Sequence, residues 1–236
     1  MQYQNFCSGH ERDRGGYSLG CLEGDTRMTA DPYRRAAKWY DKIFEPMNRG
    51  LRFMGLRLHR PRKGMKYLDV GCGTGVHLEL YSRFGCEVFG IDPSSAMLQI
   101  ARSKLGDKAQ LHLGDASRMP YDEKTFDLIT AMLVLHEMNP QTRASAIGEM
   151  KRVLKDEGRL LFIDHHPGPI RSYKGLRARL VVFAAELVAG REHFRNYRNF
   201  MRAKGLPTIA LEHGLATEKQ RVVGEGVLAL LLLKKE

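Results

Sequence analysis

The chain has 236 residues, which suits one α/β domain with attached segments or at most two small domains. Hydrophobic residues make up 43 %, enough for a sizeable core, and this excludes global disorder. The net charge of +11 is uneven: residues 27–66 carry twelve basic against three acidic side chains, residues 171–204 nine against two, and residues 67–170 eleven against fourteen.

Two basic segments therefore flank a mildly acidic centre. Such segments attract phosphates, anionic lipid headgroups or nucleic acid, and a merely solvated surface is the alternative. The apolar runs Val227–Leu233 and Leu180–Gly190, the second broken by Glu186, fall short of the roughly 20 residues a membrane span needs. The first residues, MQYQNFCSGHERDRGG, contain no apolar stretch of the kind a secretory signal requires. Cys7, Cys21, Cys72 and Cys86 include no C-x-x-C pair and make no disulfide framework, as expected of free thiols in a reducing cytosol. The expected location is cytoplasmic, with peripheral contact at a membrane surface left open by the basic segments.

Residues 1–27 are polar and glycine-containing, without apolar period, and read as a disordered tail. Met28 follows at once, so an upstream extension of the reading frame is one interpretation. Residues 28–236 read as a single domain: cap helices over 28–65, a core over 66–168, a cap insert over 169–205 and closing strands over 206–236. Asp31-Pro32 is a helix-opening pair, and Ala36, Tyr40, Ile43, Met47, Leu51, Met54 and Leu58 then recur at helical spacing, with Pro46 expected to kink the helix.

Strand and helix patterns then alternate. Strands are predicted at Lys66–Val70, Glu87–Ile91, Gln110–Leu113, Phe126–Met132 and Arg159–Asp164, and helices at Val76–Phe84, Ser94–Lys104 and Gln141–Leu154. Repeated strand–helix units predict a mostly parallel sheet with helices on both faces. After Pro167-Gly168-Pro169, helices are predicted at Ser172–Ala189, with Leu176, Leu180, Phe183 and Leu187 on one face, and at Glu192–Lys204. Thr208–His213 and Gly226–Lys234 read as two closing strands.

The sharpest signal is Leu68-Asp69-Val70-Gly71-Cys72-Gly73-Thr74-Gly75, between a predicted strand and a predicted helix. Glycines there let backbone approach a ligand, and the following helix N-terminus favours negative charge. The spacing is G-x-G-x-G, and the preceding carboxylate would repel a pyrophosphate but accept a hydrogen bond from an ammonium group. Asp92, in Phe89-Gly90-Ile91-Asp92-Pro93, ends the second strand, where a carboxylate can accept both hydroxyls of a ribose. Asp115, in Leu113-Gly114-Asp115-Ala116, ends the third and suits an adenine amino group. The bland alternative is that these acids cap the following helices.

From Tyr67 to about His165 the chain resembles class I S-adenosylmethionine-dependent methyltransferases, through LDVGCGTG, GIDPSSAMLQIAR, LGDASRMPYDEKTFDLI, LVLH and EMKRVLKDEGRLLFID. It looks most like the broad group containing the ubiquinone and menaquinone C-methyltransferases. The resemblance implies a Rossmann-like sheet of seven strands, the last antiparallel, with S-adenosylmethionine as cofactor and S-adenosylhomocysteine as product. It implies that Asp69, Gly71, Cys72, Gly73 and Gly75 hold the methionine end, Asp92 and Pro93 the ribose, and Asp115 and Ala116 the adenine, with Met97 packed on it. Tyr40 lies in a helix that would fold over the cofactor, and Met132 and Leu133 lie beside it at the end of the fourth strand. Cys72 is read as a small packing residue, not a nucleophile. Ala131–Asn139 departs from the pattern of the quinone enzymes.

On the acceptor side, His136 follows the fourth strand, and Asp164-His165-His166 ends the fifth. His136 and His165 are the candidate catalytic groups, as base or acceptor ligand. Three histidines and Asp164 have the chemistry of a metal set, but adjacent histidines diverge and no metal is assigned. A small-molecule acceptor, amphipathic, lipid-like or anionic, is the expected partner. Nucleic acid, a homodimer through the cap helices, a cofactor-binding pseudo-enzyme and an NAD-binding Rossmann protein are the alternatives.

Overall fold

The structure is a computed structural model that describes Asp31, Tyr33 and residues 37–170 and 172–236. The tail reading of residues 1–27, and the placing of Pro32 and Ala36 in the first helix, lie outside the described residues.

Helix α1 (Ala37–Leu58) leads into β1 (Lys66–Val70), α2 (Val76–Ser82), β2 (Glu87–Asp92), α3 (Ser95–Leu105) and β3 (Ala109–Leu113). Then follow β4 (Phe126–Met132), α4 (Pro140–Val153), β5 (Leu154–His165), α5 (Tyr173–Val188), α6 (Arg191–Arg202), α7 (Gly205–Glu212), β6 (Leu215–Val223) and β7 (Leu228–Lys235). The strands form one seven-stranded sheet in the order β3-β2-β1-β4-β5-β7-β6. β1 to β5 pair in parallel, and β7 inserts antiparallel between β5 and β6. The expected seven-stranded, mostly parallel sheet with a reversed last strand is therefore present.

Successive residues of a strand face opposite sides, so the inner strands must be apolar on both. In β5, Leu160 and Phe162 join one core with Ile147, Met150, Phe200 and Ile209 of α4, α6 and α7. Their neighbours Leu161 and Ile163 join the other, with Leu51 and Leu58 of α1, Tyr81 of α2 and Leu98 of α3. Gly55 lets α1 lie close on β5, since a Cβ there would stand 3.0 Å from Leu161 Cδ2.

Three expectations are corrected. Thr208–His213 is not a strand: its residues fall in α7 and the turn after it, because Leu206, Ile209 and Ala210 bury one helical face against the sheet. The sheet's outer strand is β6, LATEKQRVV, an edge strand exposed along most of its length, which carries no apolar alternation and is held by its ladder to β7. The described part of helix α1 begins at Ala37, whose N–H donates to Tyr33 O at 2.8 Å, a helical bond, and residues 34–36 lie outside the described ones. Asp31 accepts from Tyr33 N, the bond an N-cap makes, and from Ser94 Oγ and Ala96 N at the start of α3.

The third correction concerns the apolar stripes. In α1 the second half buries as expected, but Ile43 and Met47 are 58 % and 66 % exposed. Pro46 is accommodated within a continuous helix. In α5 the stripe Leu176, Leu180, Phe183 and Leu187 is exposed, and the buried residues are Gly175 and Glu186, about three turns apart on one face. Gly175 packs where a Cβ would collide with Glu225 and Ile170. Glu186 turns inward to a group of histidines, and those two contacts set the rotation of the helix.

Candidate active site

The chain runs outward from β1 to β3 and then returns to the other side of β1 with β4. That reversal opens a crevice at the C-terminal edge of the sheet, between β1 and β4. Two sets of polar residues meet there, one on each side.

The first set surrounds the glycine loop after β1. Gly71 N and Cys72 N donate to Ile91 O at 2.9 and 3.2 Å, which folds the loop back over β2. Gly71 has φ +70°, and a Cβ there would stand 2.6 Å from Val134 Cγ2, so only glycine fits. Gly75, before α2, packs against Ala101 and Leu105 of α3. Gly73 differs: its φ is +52°, yet a Cβ would meet nothing within 4 Å. Its Cα faces the open crevice.

Asp92 stands at the tip of β2, buried, with Oδ2 accepting from Gly73 N and Oδ1 from Ser94 N, both at 2.8 Å. Burial pushes its carboxyl pKa up, against these two bonds. Asp69 is also buried. It accepts a hydrogen bond from Thr130 Oγ1, which in turn contacts Tyr67 OH at 2.6 Å, so one oxygen is committed to tying β1 to β4. Asp115 is exposed and accepts from Ser117 N, with Ala116 buried beside it. Met97 is buried on α3 beneath the loop, and Pro93 is exposed at the turn. Cys72 is buried against Gly90, and burial raises its thiol pKa well above the usual range, which fits packing and not nucleophilic attack.

The N-terminal part of α1 closes over this side. Asp41 accepts from Thr74 Oγ1 and, at 2.8 Å, from Lys104 Nζ, so α1 is pinned to the loop and to α3. Tyr40 packs edge-on to Tyr33 and against Phe44, and its phenol pKa is pushed up to about 12, chiefly by burial. Tyr33 OH donates to both oxygens of Glu137 at 3.1 Å. Trp39, next to Tyr40 in sequence, lies on the outer side of the helix, 59 % exposed.

The second set lies past β4 and β5. Leu133 follows β4 with φ +55°, a left-handed backbone held by its N–H bonding to Ile163 O. Met132 and Leu133 are half-buried at the crevice. Asp164 is completely buried and accepts from Leu135 N, His136 N and His165 N. It also takes the Nδ1–H of His136 at 2.7 Å. Burial opposes the charge on Asp164, but His136 and these donors outweigh it and lower its pKa. The imidazole of His136 is thereby fixed with Nε2 pointing away from Asp164, toward Glu186 Oε1 at 3.5 Å. Burial would lower the pKa of His136, and the two carboxylates raise it well above its ordinary value.

His165 brings its Nε2 to 3.7 Å from the same Glu186 oxygen, and its ring lies 4.5 Å from that of His136. His193 of α6 approaches Glu186 Oε2 at 2.7 Å. His166 does diverge, toward Gly226 O and Gly168 N. Beside the cluster, Tyr197 packs edge-on to His165 and also lines a shallow cleft of about 310 Å³ between α5 and α6, with Phe183, Met201, Arg198 and Arg202.

The structure thus brings Asp69, Gly71, Gly73, Gly75, Asp92 and Tyr40 to one side of a crevice and His136 with His165 to the other. Sequence reasoning missed Tyr33, Glu137, Glu186 and His193 as site residues. For Glu186 a signal existed, since a lone acid in an apolar run needs a partner. For the others no local pattern marks them.

Residues 68–162 match the family model of a methyltransferase domain. The chain is 32 % identical over 161 residues to the ubiquinone/menaquinone biosynthesis C-methyltransferase UbiE of Idiomarina loihiensis, covering 63 % of this chain and 63 % of that protein. The protein of the same name from Paraburkholderia phymatum is 27 % identical over 233 residues, covering 91 % of this chain and 95 % of that one. Against the first three curated relatives it matches, the chain spans 63 %, 63 % and 54 % of their lengths.

Among solved structures it is similar to the PH0226 protein of Pyrococcus horikoshii, with 21 % identity, a TM-score of 0.65 and coverage of 86 % of this chain and 98 % of that one. It is also similar to a SAM-dependent methyltransferase of Aquifex aeolicus, with 19 % identity, a TM-score of 0.58 and coverage of 84 % and 97 %. The fold is that of the class I S-adenosylmethionine-dependent methyltransferases. The segment that matches the methyltransferase domain model, residues 68–162, runs from β1 into β5 of this fold.

Proposed function

We propose that the protein transfers the methyl group of S-adenosylmethionine to a small molecule held beneath α5 and α6. The observation that carries this reading is the two-sided crevice: an open glycine and a buried carboxylate on the β1–β2 side, and an oriented imidazole on the β4–β5 side. When bound, the cofactor supplies an electrophilic methyl on a sulfonium sulfur, and the protein's main task is to place a nucleophile in line with it, which can contribute roughly 7–11 kcal/mol.

In this reading Asp92 binds the ribose hydroxyls through the lone pairs left free by Gly73 and Ser94. Gly73 gives the ligand room, and Tyr40 and Tyr33 exclude water from above. Asp69 has one oxygen free of Thr130 to receive the methionine ammonium group, and Asp115 with Ala116 and Met97 borders the adenine. His136 and His165 hold the acceptor and polarise the atom to be methylated, with Asp164 fixing the His136 tautomer.

The α5–α6 cleft supports an acceptor that is anionic or amphipathic: Arg198 and Arg202 offer positive charge, and Phe183 and Met201 offer apolar surface. The two quinone-enzyme relatives keep a lipid-like acceptor within this class. No helix of the described residues is long and apolar enough to cross a membrane. Peripheral contact through the exposed Leu180, Val181 and Val188 of α5 fits an amphipathic acceptor taken from a lipid surface.

Asp92→Ala is expected to weaken S-adenosylmethionine binding by roughly tenfold or more, since hydrogen bonds to a charged group contribute about 1.5–3 kcal/mol each. Titration calorimetry of both proteins measures this directly. Equal affinities would refute the ribose assignment and with it this placing of the cofactor.

A further inference from the structure

We propose that His136, His193 and Glu186 form a binding site for one divalent first-row transition-metal ion, with His165 beside it. Nothing in the methyl-transfer chemistry requires such an ion, and no side chain of the cofactor half takes part.

Glu186 lies at the centre of this cluster. It is the buried charged side chain of a helix whose apolar residues face outward. Burying a carboxylate costs several kcal/mol unless it is paired or coordinates a metal. What meets it is three imidazole rings from three different elements: His136 after β4, His165 at the end of β5 and His193 on α6. Each presents Nε2, at 3.5 and 3.7 Å from Oε1 and 2.7 Å from Oε2. Donor atoms around a four-coordinate ion with bonds of about 2.0–2.2 Å stand roughly 3.3–3.6 Å apart. The two longer distances are close to that separation and too long for good hydrogen bonds. The 2.7 Å approach of His193 is off the line of a hydrogen bond, and Oε2 has no hydrogen-bond partner among the described residues. The donor atoms of His136, Glu186 and His193 all lie within 4.8 Å of one another.

The surroundings fit as well. Metal-bound histidines usually donate their other ring N–H to a carboxylate or carbonyl, which fixes the tautomer. His136 does this with the buried Asp164. Two imidazoles and one carboxylate, with a position left open, suit zinc, iron, cobalt or nickel, and not magnesium or calcium, which prefer all-oxygen sets. The ligand charges also balance: a divalent ion is matched by Glu186 and Asp164. The inference about acceptor chemistry rests on the methyl-transfer reading: the cleft reaches the cluster at Tyr197, so an open position on the ion would bind the oxygen or nitrogen of the acceptor and lower its pKa.

The test uses the full chain without a histidine tag, stripped of metal and titrated with Co²⁺, while a parallel titration follows S-adenosylmethionine. The expected result is about one equivalent of Co²⁺ with visible absorption bands of a nitrogen-and-oxygen site, bleached by Zn²⁺. Glu186→Gln and His193→Ala should each weaken Co²⁺ binding by more than about 100-fold, since even groups behind the ligands contribute about 10–100-fold. Both variants should keep the wild-type affinity for S-adenosylmethionine, which shows that they fold. Absence of stoichiometric Co²⁺ binding by the wild type, or binding that survives both substitutions, would overturn the site. Cofactor binding without Co²⁺ binding defeats the metal site alone, whereas Co²⁺ binding without cofactor binding defeats the methyl-transfer reading alone.

Discussion

His136→Ala is expected to lower methyl transfer by about 100-fold or more while leaving S-adenosylmethionine affinity within about threefold, the size of effect a positioned acid–base group supplies. The two halves of the crevice are built from different strands, and the geometry separates their roles. His136 lies past β4, held by Asp164 of β5, and its free nitrogen faces Glu186. The cofactor fittings, Gly73 and Asp92, follow β1 and β2 and hydrogen-bond each other. Removing the imidazole leaves that pair untouched. Single-turnover kinetics on the identified acceptor, with calorimetry of cofactor binding alongside, measures both quantities. Unchanged turnover would retire His136 from the active site, and an equal loss of cofactor affinity would move it to the wrong side of the crevice.

Gly71 and Gly73 offer a sharper contrast, because they share a left-handed backbone but not an environment. Gly71→Ala should cost about 2–5 kcal/mol of stability, from the left-handed conformation and from overlap with Val134. Its Cβ would stand 2.6 Å from Val134 Cγ2, and Val134 is itself packed against the core. Gly73→Ala should cost only the backbone share, about 1–2 kcal/mol, since its Cβ meets no protein atom. It should nevertheless weaken S-adenosylmethionine by about tenfold or more, a loss of only about 1.4 kcal/mol, by placing a methyl where the ligand must approach. Thermal unfolding with and without cofactor separates the two. If Gly73→Ala binds cofactor normally, the open face of the loop is not the ligand cradle.

Much of this was legible in the sequence because it rests on local rules. Apolar runs placed Lys66–Val70, before the glycine loop, and Phe126–Met132 to the residue, and Asp69, Asp92 and Asp115 lie at or just past the ends of β1, β2 and β3. What escaped depends on long-range contacts. β6 carries Glu218, Lys219 and Arg221 on an exposed edge, so no apolar alternation announces it, and only pairing with β7 makes it a strand. The short apolar run at α7 is ambiguous between helix and strand until the sheet face it covers is known. The stripe on α5 was read by the usual rule that apolar faces turn inward. Glu186 reverses it, because its pairing with three histidines from elsewhere in the chain sets the rotation of the helix. The partnership of Tyr33 with Glu137, across the crevice, likewise has no signature in either segment.

The central claim is that this crevice performs methyl transfer to a small molecule. The most direct test incubates the protein and methyl-labelled S-adenosylmethionine with an extract of its source cells, then counts label in the organic, aqueous small-molecule and nucleic-acid fractions, with Asp92→Ala as control. The account predicts label in a small-molecule fraction that falls away in the Asp92→Ala protein. Label confined to nucleic acid, or no transfer by a protein that binds the cofactor, would contradict it.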